Sequence, residues 1–375
     1  MNRELELYVH IPFCVKKCNY CDFLSFPMDD TAKENYVKTL IGEINLKADF
    51  YASVTSIYFG GGTPSTLKPS QLADILNSIK TKFNVTDNAE ITIEINPGTI
   101  DKETAFEIKK VGFNRVSIGL QSIHEDELKL LGRIHTYKEF EEAYFNLREA
   151  GFENISVDVM TALPEQTEGK LLKTLNQIIS LHPEHISAYS LIIEGNTKFY
   201  KDYGHIEGPV VGEEAERRLY YLTVSTIENA GYNRYEISNF AREGFESRHN
   251  TGYWTLKEYL GFGLGASSYI NSHRLKNETD FKTYLNDESH APVEDILINK
   301  EDSMSEFMFL GLRQMKGISK KEFYQKYETY IEDVFDKEIE KLKKEALILE
   351  TEDRILLTDK GIDYGNYVFS HFLLQ

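Results

Sequence analysis

The sequence has very few cysteines, few basic residues relative to acidic ones, and no long apolar run. Three cysteines occur in 375 residues, and all lie between positions 14 and 21. An odd, clustered set argues against a disulfide framework and favours a metal site. Lys and Arg total 42 against 60 Asp and Glu, which gives a formal net charge of -18. This balance argues against a dominant nucleic-acid-binding role, because phosphate binding needs a basic surface.

The missing apolar runs and the first residues also restrict where the protein acts. No uninterrupted apolar stretch approaches the ~20 residues that span a bilayer. The first ten residues, MNRELELYVH, alternate in polarity and carry charges, which is untypical of a signal peptide. We therefore expect a soluble cytoplasmic protein with one large core, or with one core and a smaller domain.

Apolar alternation begins near the N-terminus, where Leu5, Leu7, Val9 and Ile11 share one face of a predicted strand. Similar stretches, each followed by a helical pattern, recur along the first half of the chain. Further strands are predicted near 54–59, 91–95, 116–120, 155–160 and 186–191, and helices near 31–50, 69–82, 101–111, 138–150 and 168–181. This alternation predicts an α/β fold with a parallel sheet and helices on its outside.

The other face of these strands is polar. Glu94, Arg115 and Asp158 project opposite the aliphatic residues of their own strands. Burying such groups without partners is costly, whereas an ordinary closed barrel fills its interior with branched apolar side chains. We therefore predict an incomplete parallel (β/α)6-type barrel with a polar, ligand-filled interior.

The pattern changes after the predicted barrel domain, which we assign to residues 1–230. Residues 231–296 form an aromatic- and glycine-rich extension that ends in a polar stretch, 271–296, interpreted as a linker. Residues 297–375 combine helical patterns with a short hairpin. They predict a small, mostly helical or winged-helix-like C-terminal domain.

The three cysteines form the motif C-x3-C-x2-C, with Cys14, Cys18 and Cys21 as its members. Three thiolates can ligate three irons of a 4Fe-4S cluster and leave the fourth iron open. The amine and carboxylate of S-adenosylmethionine can chelate that iron, and Tyr20 could pack beside the adenine. An electron passed to the sulfonium then cleaves a C–S bond. The alternative is a zinc site completed by His10 or another histidine.

A glycine-rich turn, Gly60-Gly61-Gly62-Thr63-Pro64, follows the second predicted strand. Glycine lets the backbone approach a ligand closely, so this turn is a candidate for contact with the methionyl amine. Active sites of parallel barrels collect at the C-terminal ends of the strands. The polar candidates at those ends are Glu94, Asn96, Ser117, Gln121, Arg133 and Asp158. A buried structural ion pair is the alternative for each carboxylate.

The stretch SRHNTGYWT at 247–255 contains the only tryptophan. His249, Asn250, Tyr253 and Trp254 place an imidazole near aromatic rings, a combination that can ligate or stack on a flat macrocycle. Composition alone favours the simpler interpretation, which is a loop packed by its own aromatic residues.

Taken together, these features closely resemble the oxygen-independent coproporphyrinogen III oxidase family within the radical S-adenosylmethionine (SAM) superfamily. The resemblance covers nearly the whole chain. It is carried by HIPFC-x3-C-x-YC-DF, YFGGGTPS, EINPGT, RVSIGLQS, LGRIHT, DVMTALPEQT, ISAYSLIIEGNT, YEISNFAREGFESRHN-x2-YW and YLGFGLGASS. The resemblance implies the radical SAM barrel fold, a 4Fe-4S cluster and S-adenosylmethionine.

Two departures distinguish the branches of that family. The oxidase branch carries a further cysteine two residues after the third cluster ligand, where this chain has Phe23. The oxidase branch also has a longer N-terminal segment, whereas Cys14 is already the first ligand here. Both differences indicate the HemW-type haem chaperone branch, in which the His-Asn-x-x-Tyr-Trp motif is associated with haem binding.

The resemblance implies two sets of site residues. S-adenosylmethionine is expected to contact Tyr8, Tyr20, Phe23, Gly61, Gly62, Thr63, Glu94, Gln121, Arg133 and Asp158, and haem is expected to contact His249, Asn250, Tyr253 and Trp254. The chain departs from the family pattern at Ala162 and Glu165, which replace glycines, and at Leu264 and Ser267, which stand where proline and histidine are common.

The resemblance predicts a haem chaperone that binds haem as cargo and delivers it to respiratory haem proteins. It leaves open whether the protein is a homodimer and whether it contacts the membrane peripherally through a protein partner. One alternative is oxidative decarboxylation of coproporphyrinogen III propionates in haem biosynthesis. Another is a radical enzyme that acts on an unrelated substrate.

Overall fold

The computed structural model describes residues 3–374, and their first half alternates strands with helices. Strands β1 to β6 span Glu4–Ile11, Asp49–Gly61, Phe83–Ile95, Arg115–Gln121, Ile155–Thr161 and His185–Ser190. Helices α1 to α6 span Asp30–Leu46, Pro69–Lys82, Lys102–Val111, Glu125–Leu131, Tyr137–Glu149 and Glu168–Ser180. Each predicted strand and helix is present, although the helix predicted to residue 50 ends at Leu46, because β2 begins at Asp49. The short helix α4 is an addition that the periodicity did not indicate.

The middle of the chain has shorter elements. Helices α7 to α10 span Lys198–Tyr203, Glu213–Asn229, Arg248–Trp254 and Phe281–Asn286. Strands β7 to β12 span Asn233–Arg234, Asn239–Ala241, Tyr259–Phe262, Ser267–Ile270, His273–Lys276 and Glu294–Leu297.

The C-terminal part is mostly helical. Helices α11 to α15 span Lys300–Gly311, Lys320–Tyr327, Ile331–Lys344, Asp359–Asp363 and Gly365–Ser370, and strands β13 to β15 span Ile318–Ser319, Ile348–Glu350 and Arg354–Leu357. The last two strands are the predicted hairpin and pair antiparallel. A separate apolar core includes Met308, Phe323, Phe335 and Phe372.

Within residues 3–374, twelve strands form one sheet in the order β12-β11-β10-β9-β1-β2-β3-β4-β5-β6-β8-β7. Strands β1 to β6 are parallel neighbours in sequence order. Strand β9 adds a further parallel strand beside β1. Antiparallel pairs extend the sheet beyond β9 on one side and beyond β6 on the other. The end strands β12 and β7 do not pair with each other, so the predicted incomplete barrel of α/β class is confirmed.

The two faces of the parallel strands have the predicted difference in polarity. On β1, Leu5, Leu7 and Val9 are fully buried in the core that the outer helices cover. Side chains from the opposite face converge instead on a polar interior. The candidate site residues therefore lie on the concave inner face of the sheet, opposite the face that the outer helices cover.

Residues 271–296 are not the linker that their polarity suggested. Strands β11 and β12 pair antiparallel and extend the sheet, and Phe281 packs against the main core. The hairpin that starts this segment turns through Asn271 and Ser272, which have φ of 51° and 62°. A two-residue turn with positive φ at both positions suits the twist of a hairpin. Asn-Ser is a weaker signal for it than Asn-Gly, which explains the error.

The domain boundaries predicted at 230/231 and 296/297 remain predictions. Among residues 3–374, no helix combines the length and apolar character that a bilayer crossing needs.

Candidate functional site

A cavity of about 340 Å³ opens at the C-terminal ends of the parallel strands. Its volume is typical of a small-molecule site. Most of the predicted site residues line it, namely Cys14, Cys18, Tyr20, Cys21, Phe23, Gly61, Gly62, Thr63, Glu94, Gln121, Arg133, Asp158 and Asn250. Tyr8, His249, Tyr253 and Trp254 are not among its lining residues.

The cysteine loop is held in place by backbone contacts on both sides. The Cys14 amide donates to the Phe26 carbonyl at 3.2 Å, and the Asn19 amide donates to the Leu131 carbonyl at 2.9 Å. The three thiols are half-buried and free. Burial raises the pKa of the thiols of Cys14 and Cys21, so iron binding has to displace their protons.

The donor set fits a cluster with one open iron better than it fits zinc. Three thiols line the cavity, but His10 is not a free fourth ligand, because its Nδ1 contacts Tyr8 Oη at 3.0 Å and its Nε2 contacts the Leu24 carbonyl at 2.9 Å. Within residues 3–374, no three His, Cys, Asp or Glu side chains are already arranged around a metal position. The fit therefore rests on the number, spacing and position of the thiols.

Close packing requires glycine in the turn at the end of β2. A Cβ on Gly61, where φ is +110°, would lie 2.5 Å from the His10 ring, and one on Gly62 would lie 2.5 Å from the Phe13 carbonyl oxygen. The Gly62 amide donates to the Ile11 carbonyl at 2.9 Å. The missing side chains let the end of β2 lie directly against the cysteine loop, where both elements face the cavity.

Two buried carboxylates face the same cavity. Glu94 accepts a hydrogen bond from Tyr58 Oη at 2.8 Å, and burial raises the pKa of this carboxyl to about 7. Asp158 accepts one from Ser117 Oγ at 3.0 Å, and burial raises its pKa to about 6. A cation placed between them would favour their ionised forms.

Arg133 and Gln121 occupy the side of the cavity formed by β4. The Arg133 guanidinium donates to the Gly119 carbonyl, and its Nη1 lies 3.7 Å from Cys18 Sγ. Gln121 accepts from Tyr189 Oη at 3.0 Å and has φ of 74°. Arg133 thereby connects the cysteine loop to β4.

Tyr8 and Phe23 differ in position although the same role was predicted for both. The Tyr8 ring stacks on Tyr58, with 6.4 Å between ring centroids, so Tyr8 lies behind a lining residue. Phe23 lines the cavity and is 59% exposed, and Val15 of the same cysteine loop is 60% exposed. The rim therefore presents apolar surface to solvent.

His249 lies outside the cavity, buried between α9 and the barrel. It is 1% exposed, its Nδ1 is 2.9 Å from Ser56 Oγ, and its Nε2 is 2.9 Å from Tyr253 Oη. Burial lowers its pKa to about 3, with a smaller contribution from Arg115. In this conformation neither ring nitrogen is available to a haem iron.

The rest of the predicted haem motif is divided between two environments. Asn250 lines the cavity. The Trp254 ring lies against the Arg313 guanidinium at 4.6 Å, on the side of α9 that faces the C-terminal part. The pairs 249/253 and 250/254 are each four residues apart and share one side of the helix, so the contacts with Ser56 and Arg313 divide them rather than helix geometry. Haem contact by Tyr253 and Trp254 stays a prediction.

Sequence reasoning missed several lining residues as ligand contacts. Tyr58, Ser187, Tyr189 and Asn239 all line the cavity. Three of them lie on the inward faces of the strands β2 and β6. The period-2 alternation that identified Glu94 and Arg115 could have identified these three as well.

Comparisons with known proteins agree with this geometry. The radical SAM superfamily model matches residues 8–178, and the HemN C-terminal domain model matches residues 298–364. The chain is 37% identical to the haem chaperone HemW of Bacillus subtilis, over 98% of this chain and 98% of that protein. It is 31% identical to the haem chaperone HemW of Escherichia coli, over 99% of this chain and 98% of that protein.

A solved structure supports the fold. Coproporphyrinogen III oxidase (HemN) from Escherichia coli superposes with a TM-score of 0.87, at 24% identity, over 99% of this chain and 90% of that one. The radical SAM superfamily binds a 4Fe-4S cluster and S-adenosylmethionine. This chain belongs to the HemW family within the radical SAM superfamily.

Proposed function

We propose that this protein is a haem chaperone, which binds haem and passes it to respiratory haem proteins in the cytoplasm or at the membrane surface. The similarity to HemW chaperones over nearly the full length carries the proposal. Phe23 supports it, because this position lacks the further cysteine of the oxidase branch. Homodimerisation and peripheral membrane contact are finer parts of the same proposal.

We further propose that Cys14, Cys18 and Cys21 hold the cluster at the mouth of the cavity. When bound, the cluster supplies an electron to the sulfonium of the nucleotide. The turn at Gly61 and Gly62 offers backbone groups to the methionyl part. These five residues come from two adjacent parallel strand ends, which is where parallel α/β folds place ligands.

S-adenosylmethionine carries a sulfonium and an ammonium, and the cavity offers matching charges. Burial raises the pKa values of Glu94 and Asp158, and at Asp158 the cations Arg115 and Arg133 offset part of this shift. No cation offsets the shift at Glu94 among residues 3–374. A bound cation would offset the cost of burying these carboxylates. Tyr20 and Gln121 lie beside them for the adenosine part.

We propose that the haem macrocycle covers the rim at Phe23. An exposed aromatic side chain at a cavity mouth suits a flat apolar ring. Asn250 is the member of the His-Asn-x-x-Tyr-Trp motif that reaches the cavity. Ligation of the haem iron by His249 stays a prediction, and it requires that the hydrogen bonds to Ser56 and Tyr253 break.

One experiment separates the chaperone from the oxidase. The reconstituted protein is incubated anaerobically with reductant, S-adenosylmethionine and coproporphyrinogen III, and separately with haem. We expect a Soret absorbance shift with haem and no protoporphyrinogen. Protoporphyrinogen formation would contradict the chaperone proposal, and so would the absence of haem binding. Transfer is followed by mixing the haem-loaded protein with a haem-free acceptor protein.

A further inference from the structure

The cysteine loop carries two lysines in addition to the three thiols. Lys16 and Lys17 lie between the first two cysteines, line the cavity and are exposed. Val15 and Phe23 of the same loop are exposed apolar residues. One loop therefore presents apolar surface and positive charge side by side at the mouth of the cavity.

The two lysines differ in what they contact. Lys17 Nζ donates a hydrogen bond to the Phe23 carbonyl at 2.9 Å. Burial raises the pKa of the Cys14 and Cys21 thiols, and the charge of Lys17 offsets part of this shift. Lys17 is thus engaged by its own loop. Among residues 3–374, Lys16 donates no hydrogen bond and lies more than 4.0 Å from every carboxylate oxygen.

The other cations that line the cavity act on a buried carboxylate. Burial raises the pKa of Asp158, and both Arg115 and Arg133 offset part of that shift. The carboxylate of the cysteine loop, Asp22, is not among the lining residues. Within the part of the chain that the structure describes, Lys16 is therefore a lining cation without an anionic partner.

An exposed lysine is ordinary on its own, and the position of Lys16 distinguishes it. The chain has a formal net charge of -18, so its surface as a whole repels anions. Haem is a flat apolar ring with two ionised propionates on one edge. A macrocycle that lies over Phe23 brings this edge to the rim, where Lys16 offers a charge on a flexible stem.

We propose that Lys16 pairs with a propionate carboxylate of haem at the rim, while the macrocycle covers Phe23. This assignment rests on the proposed haem function. Both contacts lie on the cysteine loop, so no part of the haem has to reach into the barrel. Lys16 is then a specificity residue for porphyrins that carry carboxylates.

The test compares haem with haem dimethyl ester, whose propionates carry no charge, in Soret difference titrations of the cluster-loaded full chain. We expect wild type to prefer haem. Lys16→Gln should lower the ratio of the two affinities about threefold, as is typical of an exposed ion pair, with unchanged ester affinity and iron content. Lys16→Arg keeps the charge and should keep the preference, and added salt should reduce the preference of wild type.

Lys38→Gln is the matched control, because Lys38 is an exposed lysine of α1 that forms no ion pair among residues 3–374. It changes the net charge by the same amount and should leave the ratio intact. An equal fall in the ratio for Lys38→Gln would mean that overall charge explains the preference, which overturns the assignment.

The remaining outcomes separate this inference from the proposed function. An unchanged ratio in Lys16→Gln overturns the assignment. Equal weakening of both ligands, or loss of iron, also overturns it, because Lys16 would then act through the loop or the cluster. Wild type that binds both ligands equally overturns this inference alone, and wild type that binds neither overturns the proposed function as well.

Discussion

The inside of the barrel has two regions that look alike in sequence and differ in structure. The mouth contains Glu94, Gln121, Arg133 and Asp158, which line the cavity. The floor contains Glu6, Ser56, Glu90 and His249, which helix α9 covers. At the floor, polar groups of the protein form hydrogen bonds with one another. His249 bonds to Ser56 and Tyr253, and Glu90 accepts hydrogen bonds from two backbone amides.

Helix α9 causes the difference between floor and mouth. At Gly252 it approaches β1 so closely that a Cβ would lie 2.1 Å from a Glu6 carboxylate oxygen. A polar face on a parallel strand therefore shows that the interior is not aliphatic. It does not show whether a ligand or another protein segment satisfies that face.

The largest expected effect is at the mouth. Cys18→Ala should abolish the cluster, because two remaining cysteines cannot hold three irons. Iron and sulfide analysis after anaerobic reconstitution measures this loss. The free energy of unfolding of the apoprotein should change by less than about 0.5 kcal/mol, since the thiol is only half-buried. Asp22→Asn, at an exposed position of the same loop, serves as the control, and full iron content in Cys18→Ala would contradict the ligand assignment.

The second prediction concerns the charge at the floor. Burial raises the pKa of Glu6 to about 8 from 4.5. The folded state therefore keeps this proton at higher pH than the unfolded state does. Stability from this group is complete below pH 4.5 and is lost as the pH rises to about 8, a loss on the order of 4 kcal/mol.

Glu6→Gln should flatten the pH dependence of the free energy of unfolding in this window, measured by urea titration at several pH values. The pH-dependent change in the free energy of unfolding that Glu6→Gln removes should be the same with and without S-adenosylmethionine, because the floor does not face the ligand. The corresponding change that Glu94→Gln removes should differ between the nucleotide-bound and nucleotide-free protein. Equal behaviour of the two variants would mean that floor and mouth are one electrostatic site.

The third prediction separates neighbouring residues of α9. His249→Ala should cost about 2–4 kcal/mol of stability, because it leaves Ser56 and Tyr253 without their partner and creates a void. Asn250→Ala, which faces the cavity, should cost less than about 1 kcal/mol and weaken haem binding instead. Chemical denaturation and Soret titration of both variants measure the two effects. Loss of haem binding in His249→Ala with unchanged stability would favour direct ligation by His249.

Much of the fold and part of the site could be predicted from the sequence. The strands follow from the alternation seen in Leu5, Leu7 and Val9, and the cluster loop follows from cysteine spacing. The burial of His249 could not be predicted, because it depends on where α9 packs.

The smallest expected effect concerns backbone strain in the segment that follows β5, near the mouth of the cavity. Ala162 and Glu165, after β5, have φ of 57° and 60°, in the left-handed region that costs a side chain roughly 1–2 kcal/mol. Glu165 is exposed, so Glu165→Gly should relieve this strain without losing a buried contact. Glycine loses about 0.5–1 kcal/mol in chain entropy on folding, which leaves a net gain of about 0.5 kcal/mol.

Ala162 offers a matched comparison, because it has the same backbone conformation but a buried methyl group. Ala162→Gly gives up about 0.8 kcal/mol of apolar burial, so relief and loss should nearly cancel. Glu165→Ala keeps the strained φ and removes the charge, and it should show no gain. If Glu165→Ala stabilises the protein as much as Glu165→Gly does in chemical denaturation, charge explains the gain and the mouth holds no strain that glycine would release.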